Sequence, residues 1–145
     1  MSELMVLTDF EHTLERYHQV IGELANGNAG PTKTMFSRRE DVTMVSPFGG
    51  VTRGKKSVQE TIEVVASLYR QGRVTSFDNV AKFVTRNLAY TVEIEHYEAV
   101  PAGKKEISTF VLGVTSIFRR ETQGWKLVHR HADPITSELP KELVP

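Results

Sequence analysis

Trp125-Lys126-Leu127-Val128-His129-Arg130-His131-Ala132-Asp133, close to the end of the chain, reads as a strand that carries two histidines spaced i, i+2. Successive side chains of a strand alternate between faces. An unbroken strand therefore sets His129 and His131 on one face with Trp125 and Leu127, and turns Arg130 to the other. Just upstream, Glu121 followed by Thr122-Gln123-Gly124 fits a three-residue loop with Gly124 in the left-handed region. That register pairs Glu121 with Trp125, Ile117 with His129 and Thr115 with His131. A two-residue loop would break it, because a slip of one residue moves every side chain to the other face.

Working back from this strand, the period stays at two as far as Arg73. Val74 to Thr85, Leu88 to Val100, Ile107 to Arg120 and Trp125 to Ala132 read as four long strands joined by turns. On Ile107 to Arg120 both faces are apolar, with Ile107, Val111 and Ile117 on one and Phe110, Leu112, Val114 and Phe118 on the other. A sheet apolar on both faces needs two covers. Helices can supply one. A second copy of the sheet is expected to supply the other, so a homodimer is inferred.

The front half is helical. Thr8 and Glu11 have the spacing of a capping box, and Phe10, Leu14, Tyr17, Ile21 and Leu24 form one apolar stripe that Asn26-Gly27 ends. A short second helix is expected around Pro31 to Arg38. Asp41 to Ser46, the turn Pro47-Phe48-Gly49-Gly50 and Val51-Thr52-Arg53 form a short hairpin. Gly54 leads into a third helix, where Ser57 and Glu60 repeat the capping-box spacing. Val58, Ile62, Val65 and Tyr69 are its stripe and Gly72 its end. Helices and a hairpin first, then an antiparallel meander, is an α+β pattern with helices on one face of a curved sheet.

Composition bounds the function. At 145 residues the chain reads as one domain, 1–145, with a real core. Lysine plus arginine equal aspartate plus glutamate at 18 each, which argues against nucleic acid as the partner. There is no cysteine, so thiolate chemistry, disulfides and cysteine-ligated metals are excluded. No stretch approaches the roughly 20 apolar residues of a membrane helix, and no signal peptide is evident; a cytoplasmic protein with no membrane partner is expected.

The hairpin with Ser46-Pro47-Phe48-Gly49-Gly50, the Gly54-Lys55 helix start, Thr115-Ser116-Ile117-Phe118-Arg119-Arg120 and the terminal Gly124 to Asp133 strand together resemble the NTF2-like superfamily, in its SnoaL-like, ketosteroid-isomerase-like branch. The resemblance spans about Thr8 to Pro134. It implies a cone-shaped curved antiparallel sheet wrapped around three N-terminal helices, the cystatin/NTF2-like fold. It also implies a pocket between sheet and helices, and dimerisation through the outer sheet face. Relatives often carry Arg-x-Thr where this chain has Gly113-Val114-Thr115, and a small residue where it has Glu93. An arginine anchor for an anionic ligand is therefore expected to be missing.

Family geometry turns the odd positions of the strand from Leu88, namely Ala89, Thr91, Glu93, Glu95 and Tyr97, into the cone. A histidine beside a carboxylate in an apolar pocket is the smallest acid–base unit. Glu95 with His129 or His131 is the candidate catalytic set. Tyr17, Phe48, Tyr69, Glu93, Tyr97 and Thr115 are the candidate ligand contacts, although Tyr17 and Tyr69 at helix stripe positions also suit a plain core. His12 and His18 read as surface or rim residues. A metal held by the two histidines and a glutamate is a minority alternative, and neither metal nor cofactor is expected. The expected function is binding of a small, largely apolar molecule, with cofactor-free proton transfer of the isomerase, cyclase or dehydratase kind as its catalytic form. A non-enzymatic ligand-binding or assembly module is the alternative.

Overall fold

The computed structural model describes residues 2–135. Helix α1 runs Glu3–Ala25, and Ser2 caps it by accepting a hydrogen bond from the Met5 N–H at 3.1 Å. The expected start at Thr8 is corrected. Glu3, Leu4 and Met5 are good helix formers and extend the helix backward, which leaves Thr8 inside it. The stripe Phe10, Leu14, Tyr17, Ile21 and Leu24 is buried throughout.

Helix α2, Gly30–Met35, ends before the expected Arg38. Phe36 turns extended and bridges to Leu127, and the Ser37 N–H donates to the Leu127 carbonyl at 2.8 Å, so the chain leaves the helix to join the sheet. Strands β1, Thr43–Val45, and β2, Val51–Arg53, form the short hairpin. Helix α3 spans Lys55–Ser67, with Gly54 at its N-cap at φ 93°. The Ser57–Glu60 capping box is not used, because the helix begins before Ser57.

The end of α3 is a second correction. Tyr69 opens strand β3, Tyr69–Val84, and Gly72 lies inside that strand. A Cβ on Gly72 would sit 2.0 Å from the Ala25 carbonyl oxygen. The glycine is there to let β3 pass against the end of α1, not to stop a helix. Strands β4 (Leu88–Pro101), β5 (Ser108–Glu121) and β6 (Gly124–Pro134) complete the meander.

The strands lie in the order β2-β1-β6-β5-β4-β3 in one curved, open sheet. Neighbours are antiparallel except β1 and β6, which pair in parallel with Thr43 opposite His129. The three helices cover the inner face, giving an α+β cone. Phe10 anchors the core, edge-on to both Phe118 and Trp125 at 5.2 Å. On β4 the odd positions Ala89 to Tyr97 are all buried on this inner face.

On β5 the inner face carries Leu112, Val114, Ser116 and Phe118, and the outer face Val111, Thr115 and Ile117. The outer face is apolar and open, with Ile107, Leu88, Tyr90 and Phe83 among its exposed residues. No helix among the described residues is long and apolar enough to cross a membrane.

Candidate functional site

The last hairpin decides what faces the cone. Its loop has two residues, not three: Glu121 lies opposite Gly124, Arg120 opposite Trp125 and Phe118 opposite Leu127. A β-bulge at Val128 then inserts one residue, so Ile117 still faces His129 across the ladder and Thr115 still faces His131. The expected pairing survives by a different route and keeps both histidines on the Thr115 and Ile117 face, but Trp125 and Leu127 leave that face, and it is the outer one. Trp125 and Leu127 point inward, and beyond the extra residue Arg130 and Ala132 point inward as well.

His129 and His131 therefore stand on the outer face with Thr115, away from Glu95; their expected inward placement is corrected. His129 Nδ1 meets Thr43 Oγ1 at 2.7 Å, and His131 Nε2 meets Asp133 Oδ2 at 2.8 Å. Burial lowers the His129 pKa, the neighbouring His131 adds to this, and a hydrogen bond with the Thr43 backbone opposes it.

The inner face holds a different cluster. Arg130, 2% exposed, forks onto Glu95, 0% exposed, with Nη1 to Oε2 at 2.9 Å and Nη2 to Oε1 at 2.7 Å. The same guanidinium donates to the Tyr17 hydroxyl at 2.5 Å and the Tyr97 hydroxyl at 3.2 Å. Tyr97 donates to Glu95, and Tyr17 shares a 2.6 Å hydrogen bond with Ser116. α1, β4, β5 and β6 each contribute a member. A buried ion pair is tolerable only when its remaining donors and acceptors are satisfied, and here both Nη atoms are fully engaged.

Burial alone would lower the arginine's pKa, but Glu95 and the two phenols hold it well above its usual value. Burial pushes the Tyr17 phenol up to about 12, against the pull of Arg130. Burial, reinforced by Glu95, raises Tyr97 well above the usual phenol value. Both phenols stay neutral hydrogen-bond donors. Both Glu95 oxygens are committed, to Arg130 and to the Tyr97 hydroxyl, which leaves neither turned toward a ligand.

Glu93 is also inward and buried, but it belongs to a second cluster. Its Oε1 bonds His18 Nε2 at 2.8 Å, and its Oε2 accepts from Asn79 at 3.3 Å. His18 stacks on Phe77 at 3.8 Å, so it is a structural partner of the sheet and not a rim residue.

At the wide end, Tyr69, Tyr97 and Phe110 stack in series, with Phe110 4.8 Å from Tyr97 and 5.3 Å from Tyr69. Exposed Phe48, at the tip of the β1–β2 hairpin, touches the Tyr69 ring at 5.6 Å. Between them is a cavity lined by Leu24, Met44, Pro47, Tyr69, Tyr97 and Arg130, among others. It holds about 10 Å³, room for about one water, so the pocket between sheet and helices that the resemblance implies is nearly closed. Among the described residues no group of three or more histidine, aspartate or glutamate side chains is placed to hold a metal.

Sequence reasoning found Glu95, Tyr17 and Tyr97 and missed Arg130, Ser116 and His18. The arginine expected to be missing from β5 is present on β6. The one signal for it was the adjacent apolar pair Leu127-Val128, which a strictly alternating strand does not need.

The fold agrees with comparison to known proteins. The family model described as SnoaL-like domain matches residues 11–136. An NTF2-like superfamily protein from Salmonella enterica serovar Typhimurium has a similar structure, with TM-score 0.77, 16% identity, and 97% of this chain and 99% of that one covered. A putative dehydratase of the NTF2-like family from Streptomyces avermitilis gives 0.76 at 16% identity, over 94% and 100%. A ketosteroid isomerase-like protein from Erwinia carotovora atroseptica gives 0.73 at 10%, over 90% and 97%. No functionally curated protein matches. The chain belongs to the SnoaL-like domain family.

Proposed function

We propose that the protein binds a small, largely apolar molecule bearing a neutral acceptor oxygen, such as a ketone, at the mouth of its cone. The observation that carries this is the double position of Arg130, which anchors the buried network and also lines the cavity beside Tyr69 and Tyr97. An apolar cleft with a few placed polar groups is the usual form of a small-molecule site. With the Arg130 Nη atoms and the Tyr97 hydroxyl committed, the donor left to a ligand is the Tyr69 hydroxyl, which makes no hydrogen bond among the described residues. The Arg130–Glu95 pair is neutral as a unit, so a carboxylate ligand would bring an unmatched charge into the interior, and a carbonyl would not. Entry requires the Pro47–Phe48 tip and Tyr69 to move aside. Glu95 is bound to Arg130 and Tyr97, which favours binding over proton transfer.

The test uses 1-tetralone, an aromatic ketone with an exchangeable α-hydrogen. Binding should shift the amide signals of Tyr69 and Tyr97 in a saturable way, without protein-dependent deuterium entry at the α-carbon. Deuterium entry abolished by Glu95→Gln would establish the catalytic reading instead. No shift with tetralone or a panel of like ketones would overturn the site.

A second reading, assembly through the outer sheet face, is favoured by one observation. That face carries an apolar depression of about 170 Å³ lined by Phe83, Leu88, Tyr90, Thr115 and Ile117 among others. The occupant proposed is a second copy of the chain, and the two readings are compatible.

A further inference from the structure

We propose that a groove at the other end of α1 binds a small oxyanion, a phosphate or carboxylate group. It shares no residue with the cone-mouth cavity. A volume of about 260 Å³ is lined by Asp9, Thr13 and Arg16 of α1, Thr34 and Met35 of α2, and Gln123 to Lys126 of the β5–β6 hairpin.

Two observations point to an occupant. The first is Trp125. It is 7% exposed, and its indole N–H is buried without an acceptor among the described residues. Buried tryptophan N–H groups normally find a partner, and one left open marks a place where an acceptor belongs. The second is charge. Arg16 is exposed and makes no hydrogen bond or ion pair among the described residues. Lys126 spends one donor on the Thr34 carbonyl at 3.1 Å and has others in hand. Asp9, the carboxylate on the groove, is ion-paired with Arg120 at 2.9 Å, in a geometry that leaves Arg120 Nη2 without an aligned hydrogen bond, and that guanidinium lies 4.8 Å over the Trp125 ring.

The hydroxyls give no contrary preference, since Thr13 and Thr34 donate back to the Asp9 and Gly30 carbonyls of their own helices. What remains is two cations and an unfilled donor around a space larger than a water. A water would satisfy the indole but leave both cations unmatched. An oxyanion satisfies all of them through charge-assisted hydrogen bonds.

Trp125 is the sole tryptophan, so its indole N–H gives a single, assignable NMR signal. That signal is followed while the full chain is titrated with inorganic phosphate, and separately with succinate, at ionic strength held constant with chloride. The expected result is a saturable shift with at least one of them, and the arm that binds more tightly identifies the anion. Arg16→Gln and Lys126→Gln, both surface changes, should each weaken binding by about tenfold or more. Trp125→Phe keeps the ring packing and removes the N–H, so calorimetry on it should show weaker binding by a chain that still folds. If Trp125→Phe does not fold, the Arg16 and Lys126 variants decide. No saturable shift, a shift matched by chloride, or one unchanged in Arg16→Gln would overturn the site and leave the indole to a water.

Discussion

Arg130 is the residue on which the interior depends, because a guanidinium this deeply buried is stable only while its charge is matched. Arg130→Met leaves Glu95 buried and unpaired, and is expected to cost about 3–5 kcal/mol in urea unfolding. Arg130→Met with Glu95→Leu removes both charges and should recover most of that loss. A double variant no more stable than the single one would show that the pair does not act as a unit. The outer face titrates in a different way. The folded pKa of His129 lies below its ordinary 6.5, first through burial and then through His131. As pH falls below 6.5 the unfolded chain takes up the proton before the folded one does, so His129 makes stability decline; above 6.5 it contributes no slope. Melting temperatures at about pH 5.5 and about pH 7.5 should differ less in His129→Gln than in the parent chain. An unchanged difference would remove His129 as a source of that slope.

At the scale of elements, β6 shows where a sequence stops being readable. The stripe of α1 was legible because a helical period repeated over many turns leaves little freedom in which face is buried. The inward face of β4 was legible only through the family resemblance: alternation separates Thr91, Glu93, Glu95 and Tyr97 from the apolar set but by itself would send the polar set to water. The faces of β6 depend instead on the length of the turn before it and on one inserted residue, both settled by pairing with β5. Local pattern also carries no record of which face of β5 lines the cone. Both histidines were rightly read onto the Thr115 face, but that face is the outer one, because inward Glu95 lies opposite Leu112. The closure of the cone was likewise illegible, since the stack of Tyr69, Tyr97 and Phe110 joins residues far apart in the chain. The bulge gives a direct test. Deleting Val128 removes the extra residue and leaves strict alternation from Leu127 inward through His129 outward to Arg130 inward, so the Arg130–Glu95 pair and a cooperative thermal transition should survive. One further residue inserted after Val128 would instead turn Arg130 outward and strand Glu95. Val128→Ala keeps the residue count and should stay folded. A deletion variant that has lost the Arg130–Glu95 pair would show that Val128 is not the extra residue.

At the scale of the whole molecule, the proposed dimer rests on the outer sheet face. The two-faced apolar character of β5 was read correctly, but Phe110 and Leu112 turn toward the helices, so charges placed there would test the core and not the interface. The outer face offers Phe83 and Tyr90 instead, stacked at 5.8 Å and 55% and 40% exposed. Exposed aromatic pairs beside an apolar depression are the usual anchors of an interface. A two-fold dimer uses each substitution twice, and near the axis a new lysine meets its own copy. Tyr90→Lys should therefore weaken self-association by at least about 2 kcal/mol, roughly 30-fold. Because the ring is exposed, the melting temperature extrapolated to the monomer should scarcely change. Sedimentation velocity at micromolar concentration should find a dimer for the parent chain and a monomer for Tyr90→Lys. A parent chain that sediments as a monomer refutes the dimer, and a Tyr90→Lys chain that remains dimeric moves the interface away from β3 and β4.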